Sequence, residues 1–374
     1  MRVLFVTPRV PFPTRVGYQV RAVEQLLRLG RSHRVTLLAF EEADAAACEA
    51  MRERLRVERV VAADGGALGR GVGVARALIS GEPLQSGLFD TRGFARVIGE
   101  LVAAAPGFDL VHVQLARLAP AVERALPPAL PRVLDLIDSL SFNMRQRAER
   151  DAWLVGRLAA EESRRLGSLE QALLGRWDHV TVVTERDRLA IGAHPRLSVN
   201  RNGVDGERFS PGAAPRGAGS VIFTGNLGYF PNVDAACWLL DEVWPRVLRE
   251  RPDAFVRLVG ARPHRRVRHA ARRSTRVELV GPVDDLAASL RASEVAVAPL
   301  RAGSGQPPQG AGGARVRNPG GGDAGGDRGP RGRGRAAPAR RRRGGLVRGG
   351  GGEGAERPRA VHTALTCRTR TGGA

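Results

Sequence analysis

The chain has 374 residues, which is too long for one compact core and suits two domains of about 150–200 residues each. Its net charge is +21, and all 59 basic residues are arginine, because the sequence contains no lysine. The three cysteines lie far apart without a CxxC pair, and no apolar run reaches the roughly 18 residues of a membrane span. These features exclude a disulfide scaffold, a thiolate zinc site and a membrane-spanning protein. Since the chain opens on a strand pattern without a signal peptide, we expect a cytoplasmic protein.

Half of the positive charge lies in the last fifth of the chain. Residues 306–374 contain 20 Gly, 15 Arg and 6 Pro, against four acidic residues and five large aliphatic ones. Such a segment cannot bury enough apolar surface to offset the entropy lost on ordering. We therefore predict a disordered, low-complexity tail over 306–374.

The first half of the chain alternates between strand and helix patterns. The short apolar run at 2–7, the helical spacing that ends at Gly30, and the apolar run at 34–40 together form a βαβ unit, which predicts parallel strands. Further strands are predicted at 57–62, 109–113, 132–137 and 179–184, and further helices at 43–56, 92–104 and 143–174. The buried side of the long helix is expected to carry Leu154, Leu158, Leu166, Leu169, Leu173 and Leu174.

A second series of the same kind begins after residue 203. Strands are predicted at 220–224, 254–259, 277–280 and 295–299, and helices at 233–250 and 284–292. The fold class is therefore α/β, with two Rossmann-like domains, of which the second is truncated. We place the first domain at 1–205, the second at 206–305 and the tail at 306–374.

Candidate site residues of the first half follow its predicted strands, because ligands of open parallel sheets bind at the carboxyl ends of the strands. Gly17 precedes a helix, where the backbone can approach a phosphate or sugar, or it is only a turn glycine. His112 is either a base or sugar ligand, or a packed histidine, and Gln114 follows two residues later. Asp138 is either a carboxylate in a cleft or the N-cap of the next helix.

The second half offers glycines and one arginine at the corresponding positions. Gly225, Asn226 and Gly260 end strands, where a nucleotide could lie close to the backbone. Arg301 is followed by Gly303, Ser304 and Gly305, a flexible loop that could cradle a phosphate. The arginines of 262–273 are interpreted as a solvated helix face. No GxGxxG follows the first strand, so dinucleotide binding is not indicated.

Eight short motifs follow one another along the first 301 residues: PFP at 11–13 with Gly17, FDLVHVQLAR at 108–117, VLDLIDSLS at 133–141, NGVD at 202–205, FTG at 223–225, YFPNVDA at 229–235, VG at 259–260 and APLR at 298–301. Taken in order, these motifs resemble the GT-B glycosyltransferases of the family 4 type, in particular the sugar transferases of exopolysaccharide clusters.

The resemblance implies an activity and its partners. A retaining enzyme would move sugar from a nucleoside diphosphate donor to a glycan or lipid-linked acceptor, without a metal or other cofactor. It would place Gly17 and Arg117 on the substrate and His112, Gln114 and Asp138 in the cleft. Asn226 and Asn232 stand where many relatives hold the diphosphate with an Arg/Lys pair. Because the first 305 residues are also basic, contact with an anionic membrane at its inner face is a further possibility.

The pattern breaks at residue 306, where relatives continue with Lys-Val-Leu-Glu-Ala. Codons CAA GGT GCT GGA GGC for Gln309–Gly313, read one base later, encode that segment, and 319–329 can likewise be read as Pro-Val-Val-Ala-Thr. We therefore hypothesise a frameshift near codons 306–309, which would remove part of the donor site and leave the chain inactive. The alternative is an evolved arginine–glycine tail on a non-enzymatic protein that binds nucleic acid, although the tail lacks aromatic residues for base stacking.

Overall fold

The computed structural model describes residues 1–302, apart from Pro13, Arg15, Glu42, Asp64, Val204 and 211–216. The predictions for Gly303, Ser304, Gly305 and the tail 306–374 lie outside the described residues. Both sheets of the fold belong to one compact unit.

The first sheet contains seven parallel strands in the order β3-β2-β1-β4-β5-β6-β7. Its strands are β1 (Arg2–Thr7), β2 (Arg34–Ala39), β3 (Arg59–Ala62), β4 (Leu110–Gln114), β5 (Arg132–Ile137), β6 (His179–Val182) and β7 (Leu197–Val199). The strand order reverses between β1 and β4, and the loops after these two strands therefore diverge to leave a crevice.

Helices cover both faces of this sheet. They are α1 (Gly17–Leu29), α2 (Ala45–Leu55), α3 (Gly66–Ser80), α4 (Leu84–Gly87), α5 (Arg92–Ala103), α6 (Ala119–Ala125), α7 (Leu140–Ala148), α8 (Trp153–Arg176) and α9 (Glu185–Ile191). One apolar cluster, which includes Phe94 and Trp177, packs on one face of the sheet, and a second, which includes Phe5 and Leu26, packs on the other. Burial on both faces explains why the strands read as continuous apolar runs.

The second sheet contains four parallel strands in the order β10-β9-β8-β11. Its strands are β8 (Gly217–Thr224), β9 (Phe255–Val259), β10 (Val277–Gly281) and β11 (Ser293–Val297), and its helices are α10 (Phe230–Trp238), α11 (Trp244–Glu250), α12 (Arg265–Arg273) and α13 (Leu286–Arg291). A π-helical turn at Leu239–Val243 joins α10 to α11. The strand order reverses between β8 and β11, and the predicted α/β fold class with two Rossmann-like sheets is confirmed.

The predicted helix over 143–174 is wrong as a single element. Two helices, α7 and α8, pack against each other through a turn at residues 149–152. A Cβ on Gly156 would lie 2.8 Å from the carbonyl oxygen of Ala148, so a glycine is needed where the two helices meet. Leu166, Leu173 and Leu174 are buried as predicted, whereas Leu154 and Leu158 are exposed.

The predicted boundary between residues 205 and 206 falls in the segment that joins the two sheets, between Val199 and Gly217. The domain boundaries stay a prediction. Among the helices that the structure describes, none is long and apolar enough to cross a membrane.

Candidate functional site

A cleft of about 360 Å³ opens at the carboxyl ends of β1, β2 and β4, where the strand order of the first sheet reverses. Arg262, which follows β9 of the second sheet, also lines it. Its lining consists of Pro8, Arg9, Val10, Phe12, Val16, Tyr18, Gln19, Glu41, Phe89, Leu115, Arg117 and Arg262. The cleft therefore lies where open parallel sheets bind their ligands.

Three arginines make the cleft positive. Arg9 follows β1, Arg117 follows β4, and Arg262 follows β9 of the second sheet. The Arg117 Nε atom is buried and has no hydrogen-bond partner among the residues described. Burial lowers the pKa of Arg117, while the nearby Asp138 raises it. A partly desolvated guanidinium with an unused donor is suited to bind an anion such as a phosphate.

Asp138 lies next to this cleft and joins the two halves of the described chain. Its carboxylate accepts a hydrogen bond from Asn143 Nδ2 at 2.8 Å, and its charge acts on the side chain of Tyr229, which follows β8 and whose pKa it raises. Burial, reinforced by the negative charge of Asp187, raises the pKa of Asp138 to about 7. Near neutral pH the carboxyl group can therefore either hold or release a proton.

The alternative role of Asp138 as an N-cap is wrong. Ser139 caps α7, since its side chain accepts the hydrogen bond from the backbone N–H of Phe142 at 3.2 Å. The carboxylate of Asp138 therefore does not cap α7.

His112 lies in β4, below the floor of the cleft. Its ring stacks on Phe5 with centroids 4.6 Å apart, and its buried Nε2 has no hydrogen-bond partner within the described part of the chain. Burial lowers the pKa of His112, although Asp135 opposes the change. The ring is packed, as one of the two alternatives predicted. It is also neutral and has a nitrogen without a hydrogen-bond partner among the described residues, which a base or a sugar ligand would need.

Gln114 is fully buried and belongs to a polar network beneath the cleft. Its Oε1 accepts from Thr7 Oγ1 at 3.3 Å, and its Nε2 donates to Gln25 Oε1 at 3.1 Å. Gln25 in turn donates to Asp135 at 2.9 Å. The amide of Gln114 is therefore used inside the first sheet rather than at the cleft.

The same network contains a buried ion pair. Arg21 Nε lies 2.6 Å from Asp135 Oδ2, and the two side chains are 6% and 0% exposed. Arg21 also donates to Asn202 Oδ1 at 2.8 Å, and Thr181 donates to Asp135 at 2.9 Å. The network thus ties Asn202, which follows the last strand of the first sheet, to the floor of the cleft.

Of the five described non-glycine residues with positive φ, three lie near the cleft. Leu115, Ile137 and Arg262 have positive φ angles of 72°, 68° and 54°, and they follow or end β4, β5 and β9. Side-chain-bearing residues rarely adopt this region, and a β-branched residue such as Ile137 does so least readily. Strain of this kind is typical of sites where the chain must position particular side chains, here Arg117, Asp138 and Arg262.

The predicted residues of the second sheet build its loops. A Cβ on Gly260 would lie 1.6 Å from the carbonyl oxygen of Gly225, so the ends of β8 and β9 touch through backbone atoms. Asn226 Oδ1 accepts from the N–H of Gly228 at 3.0 Å, and Asn232 Nδ2 donates to the carbonyl of Asn226 at 3.1 Å. The two asparagines therefore shape the turn that carries Tyr229.

Arg301 follows β11 and is already paired. Its guanidinium forms two hydrogen bonds with Asp234, at 3.1 and 2.8 Å, and lies over the ring of Trp238. Its carbonyl accepts from Arg150 Nη2 at 3.2 Å. Asp234 neutralises much of the charge that Arg301 could offer a phosphate.

Gly17 is the first residue of α1, next to Tyr18 of the cleft lining. It is exposed, and a Cβ there would meet nothing within 4 Å. The space beside its backbone is therefore open.

Of the predicted residues, the structure brings Arg117 and Asp138 together, with Gly17 at the edge and His112 below. It separates them from Gln114 and Arg301. Sequence reasoning missed Arg9, Arg262 and Tyr229 as site residues. Arg9 lies two residues after Thr7, the last residue of β1, and Arg262 lies two residues after Gly260, which directly follows β9. Their positions just after strands could have identified both arginines as site residues.

Residues 218–311 match the family model described as Glycosyl transferases group 1. The chain carries a glycosyltransferase domain. No curated protein is significantly similar to the chain in sequence. The match covers the second sheet, whose loops carry Arg262 and Tyr229. The sequence similarity to this family therefore lies in the second half of the chain.

Solved structures show the same fold as this glycosyltransferase chain at low identity. TarM has a TM-score of 0.54 with 9% identity, covering 79% of this chain and 80% of that one. An α,α-trehalose 6-phosphate synthase from Burkholderia multivorans has a TM-score of 0.51 with 15% identity, covering 81% and 79%. A trehalose-6-phosphate structure from E. coli bound with UDP-2-fluoro glucose has a TM-score of 0.50 with 13% identity, covering 81% and 79%. The fold is therefore of the GT-B class.

Proposed function

We propose that the chain is a retaining glycosyltransferase of the family 4 type. It would move a sugar from a nucleoside diphosphate donor to a glycan or lipid-linked acceptor in the synthesis of a cell-surface polysaccharide, in the cytoplasm. The observation that carries the proposal is the cleft at the switch point of the first sheet, with arginines from both sheets around it. A GT-B neighbour bound with UDP-2-fluoro glucose supports a nucleotide-sugar donor.

The arginines would act on the leaving group. Arg9, Arg117 and Arg262 surround a space large enough for a diphosphate, and they would offset the charge that develops as the sugar departs. Arg262 would supply the positive charge that Asn226 and Asn232 cannot. Because these side chains suffice to neutralise a diphosphate, the proposal includes no metal and no cofactor.

The transfer itself breaks one bond and forms another. The bond from the anomeric carbon to the diphosphate oxygen breaks, and the acceptor hydroxyl oxygen bonds to the same face of that carbon. The hydroxyl proton leaves to the departing diphosphate. Asp138, with a pKa of about 7, would orient the sugar and acceptor hydroxyls, and the neutral His112 would support the cleft from below. We assign Gln114 a supporting role, since it holds the floor of the cleft.

The frameshift stays a proposal, and one observation bears on it. The family match ends at residue 311, close to the codons 306–309 where the reading frame is proposed to change. Reading the nucleotides across these codons tests the proposal directly. If the frame changes there, we expect the chain to bind a nucleoside diphosphate without turning over the sugar donor.

Nucleotide binding by the full chain tests the proposed function. Calorimetric titration with UDP and GDP should detect binding, and Arg117→Gln and Arg262→Gln should each weaken it about tenfold, because each removes one charge-assisted contact. Arg249→Gln, on the exposed surface of α11, is the matched control and should leave the affinity unchanged. Equal affinity in all four proteins would overturn the proposal, and RNA binding without nucleotide binding would favour the alternative of a nucleic-acid-binding protein.

A further inference from the structure

Arg117 of the cleft lies over an aromatic ring instead of pairing with a carboxylate. Within the described part of the chain, its buried Nε has no hydrogen-bond partner and no carboxylate forms an ion pair with its guanidinium. Its Cζ atom lies over the ring of Phe89, 5.9 Å from the ring centroid. The face of an aromatic ring attracts a cation electrostatically and leaves the charge of that cation in place.

Arg301 shows what a carboxylate does to a guanidinium by comparison. Asp234 accepts two hydrogen bonds from Arg301, at 3.1 and 2.8 Å. These bonds fix the guanidinium, but they also occupy its donors and offset its charge, which weakens its attraction for a further anion. Phe89 can hold Arg117 without either loss, because a ring carries no negative charge and takes up none of the donors needed for a phosphate.

The ring of Phe89 is itself held by other aromatic side chains. It packs edge-on against Phe40 with centroids 5.0 Å apart, and Phe40 packs edge-on against Phe94 at 4.8 Å. Phe40 directly follows β2, Phe94 belongs to α5, and both are buried. Aromatic pairs prefer this arrangement, so the face of Phe89 is fixed relative to the core of the first sheet.

The backbone on the C-terminal side of Phe89 is anchored as well. The carboxylate of Asp90 forms ion pairs with both Arg76 and Arg124. The hydroxyl of Thr91 accepts a hydrogen bond at 3.2 Å from an N–H group in the first turn of α5 and caps that helix. The segment that carries Phe89 is therefore fixed through both its backbone and its ring.

We propose that Phe89 is a positioning residue, whose ring holds the guanidinium of Arg117 at the cleft with its charge and its donors available to a phosphate group. The inference rests on the proposed function, because the donor diphosphate is the anion assigned there to Arg117. Phe89 and Arg117 both line the cleft. Burial lowers the pKa of Arg117, which marks a partly desolvated place, and the attraction between a cation and a ring is stronger where water is excluded.

Two substitutions of Phe89 separate the ring from its apolar volume. Phe89→Leu removes the ring and keeps an apolar side chain, whereas Phe89→Tyr keeps the ring. Calorimetric titration of the full chain with UDP and with inorganic pyrophosphate should show affinities about three- to tenfold weaker in Phe89→Leu and within about twofold of wild type in Phe89→Tyr. The matched control is Phe209→Leu, since Phe209 is also half-buried under an arginine, Arg208 at 5.7 Å, and lies outside the cleft lining.

The same titrations in Arg117→Gln distinguish positioning from a general effect on the cleft. Because the ring acts through the guanidinium, adding Phe89→Leu to Arg117→Gln should weaken binding by no more than about twofold further. Equal weakening by Phe89→Leu in the two backgrounds would overturn the inference. Unchanged affinity in Phe89→Leu would overturn it too, as would a Phe89→Tyr protein as weak as Phe89→Leu.

Urea unfolding keeps the inference apart from the proposed function. A wild-type chain that binds neither UDP nor pyrophosphate would contradict the proposed function, and the contact between ring and guanidinium would then be judged from stability. In that case the effects of Phe89→Leu and Arg117→Gln on the unfolding equilibrium constant should depart from additivity by about two- to fivefold. Additive effects would overturn the inference.

Discussion

The carboxylate of Asp138, which follows β5 of the first sheet, lies near the side chain of Tyr229, which follows β8 of the second, and its charge raises the pKa of that phenol. Two loops that are about 90 residues apart in sequence thus meet at one titratable group. Burial raises the pKa of Tyr229, and the charge of Asp138 raises it further, so the phenol stays protonated near neutral pH. The attraction between the phenol O–H and the carboxyl group is therefore strongest when Asp138 is ionised.

The raised pKa of Asp138 predicts how stability depends on pH. The native pKa of about 7 lies above the ordinary value of 3.8, so the native state holds the proton more tightly than the unfolded chain. This contribution to stability is fully present below about pH 4 and is lost as the pH rises to about 7. Asp138→Asn removes it, and the loss of wild-type stability between pH 5 and pH 8 should shrink by up to about 2.5 kcal/mol in the variant, because about two pH units of the shift lie in this range.

Urea unfolding at both pH values measures this change. Asp178→Asn is the control, because Asp178 is exposed and its carboxylate only accepts from the N–H of Arg132 at 2.9 Å. An Asp138→Asn variant with the same pH dependence as wild type would show that Asp138 titrates in its ordinary range.

The link between Asp138 and Tyr229 predicts a coupling that grows with pH. Tyr229→Phe removes the phenol O–H near the carboxylate, and a polar interaction of this kind contributes about 0.5–1.5 kcal/mol. A double-mutant cycle of Tyr229→Phe with Asp138→Asn should therefore give a coupling energy of this size at pH 8 and a smaller one at pH 5, where the carboxyl is neutral. Tyr18→Phe with Asp138→Asn serves as the comparison, and coupling that is equal at the two pH values would contradict the prediction.

The buried pair of Arg21 and Asp135 predicts a large asymmetry between breaking and replacing it. Asp135→Asn leaves the Arg21 charge buried without a counter-charge, which should cost about 3–5 kcal/mol of unfolding free energy. Arg21→Met with Asp135→Leu removes both charges and should recover most of that loss. Urea unfolding of the three proteins measures the difference, and a double variant less stable than Asp135→Asn would show that the network needs its charges.

The strands and their alternation with helices were predictable from the sequence because burial on both faces produces continuous apolar runs. The runs at 2–7 and 34–40 correspond to β1 and β2. Helix α3 was not predicted, because it is rich in glycine and carries its large apolar residues on the wrong side for a helix that covers a core. Its glycines serve close packing on Gly87 and Thr91, which is a tertiary contact and leaves no periodic signal.

The site was predictable only where a residue directly follows a strand. His112 and Asp138 were found in this way and Arg117 through the family resemblance, but position alone could not show that Gln114 points into a buried network and Arg301 onto Asp234. The role of Arg262 depends on a left-handed backbone conformation two residues beyond Gly260. The position of Tyr229 near Asp138 depends on the meeting of two loops that are distant in sequence. Neither feature has a local sequence signature.

The contact between Gly225 and Gly260 predicts that the second sheet tolerates no side chain at residue 260. In Gly260→Ala, the new Cβ would lie 1.6 Å from the carbonyl oxygen of Gly225, and the backbone φ of 155° is itself rare for alanine. Because both neighbouring groups are backbone, the ends of β8 and β9 must separate, which should cost about 3 kcal/mol or more. That separation would also displace Tyr229 and Arg262 from the cleft.

Thermal and urea unfolding measure the loss of stability. Gly99→Ala is the matched control: Gly99 lies within α5, a Cβ there meets nothing within 4 Å, and alanine should stabilise the helix by about 0.5–1 kcal/mol. We therefore expect Gly260→Ala to lower the free energy of unfolding and Gly99→Ala to raise it. A Gly260→Ala protein as stable as wild type would mean that β8 and β9 do not touch through these backbones, and the positions of Arg262 and Tyr229 at the cleft would lose their structural basis.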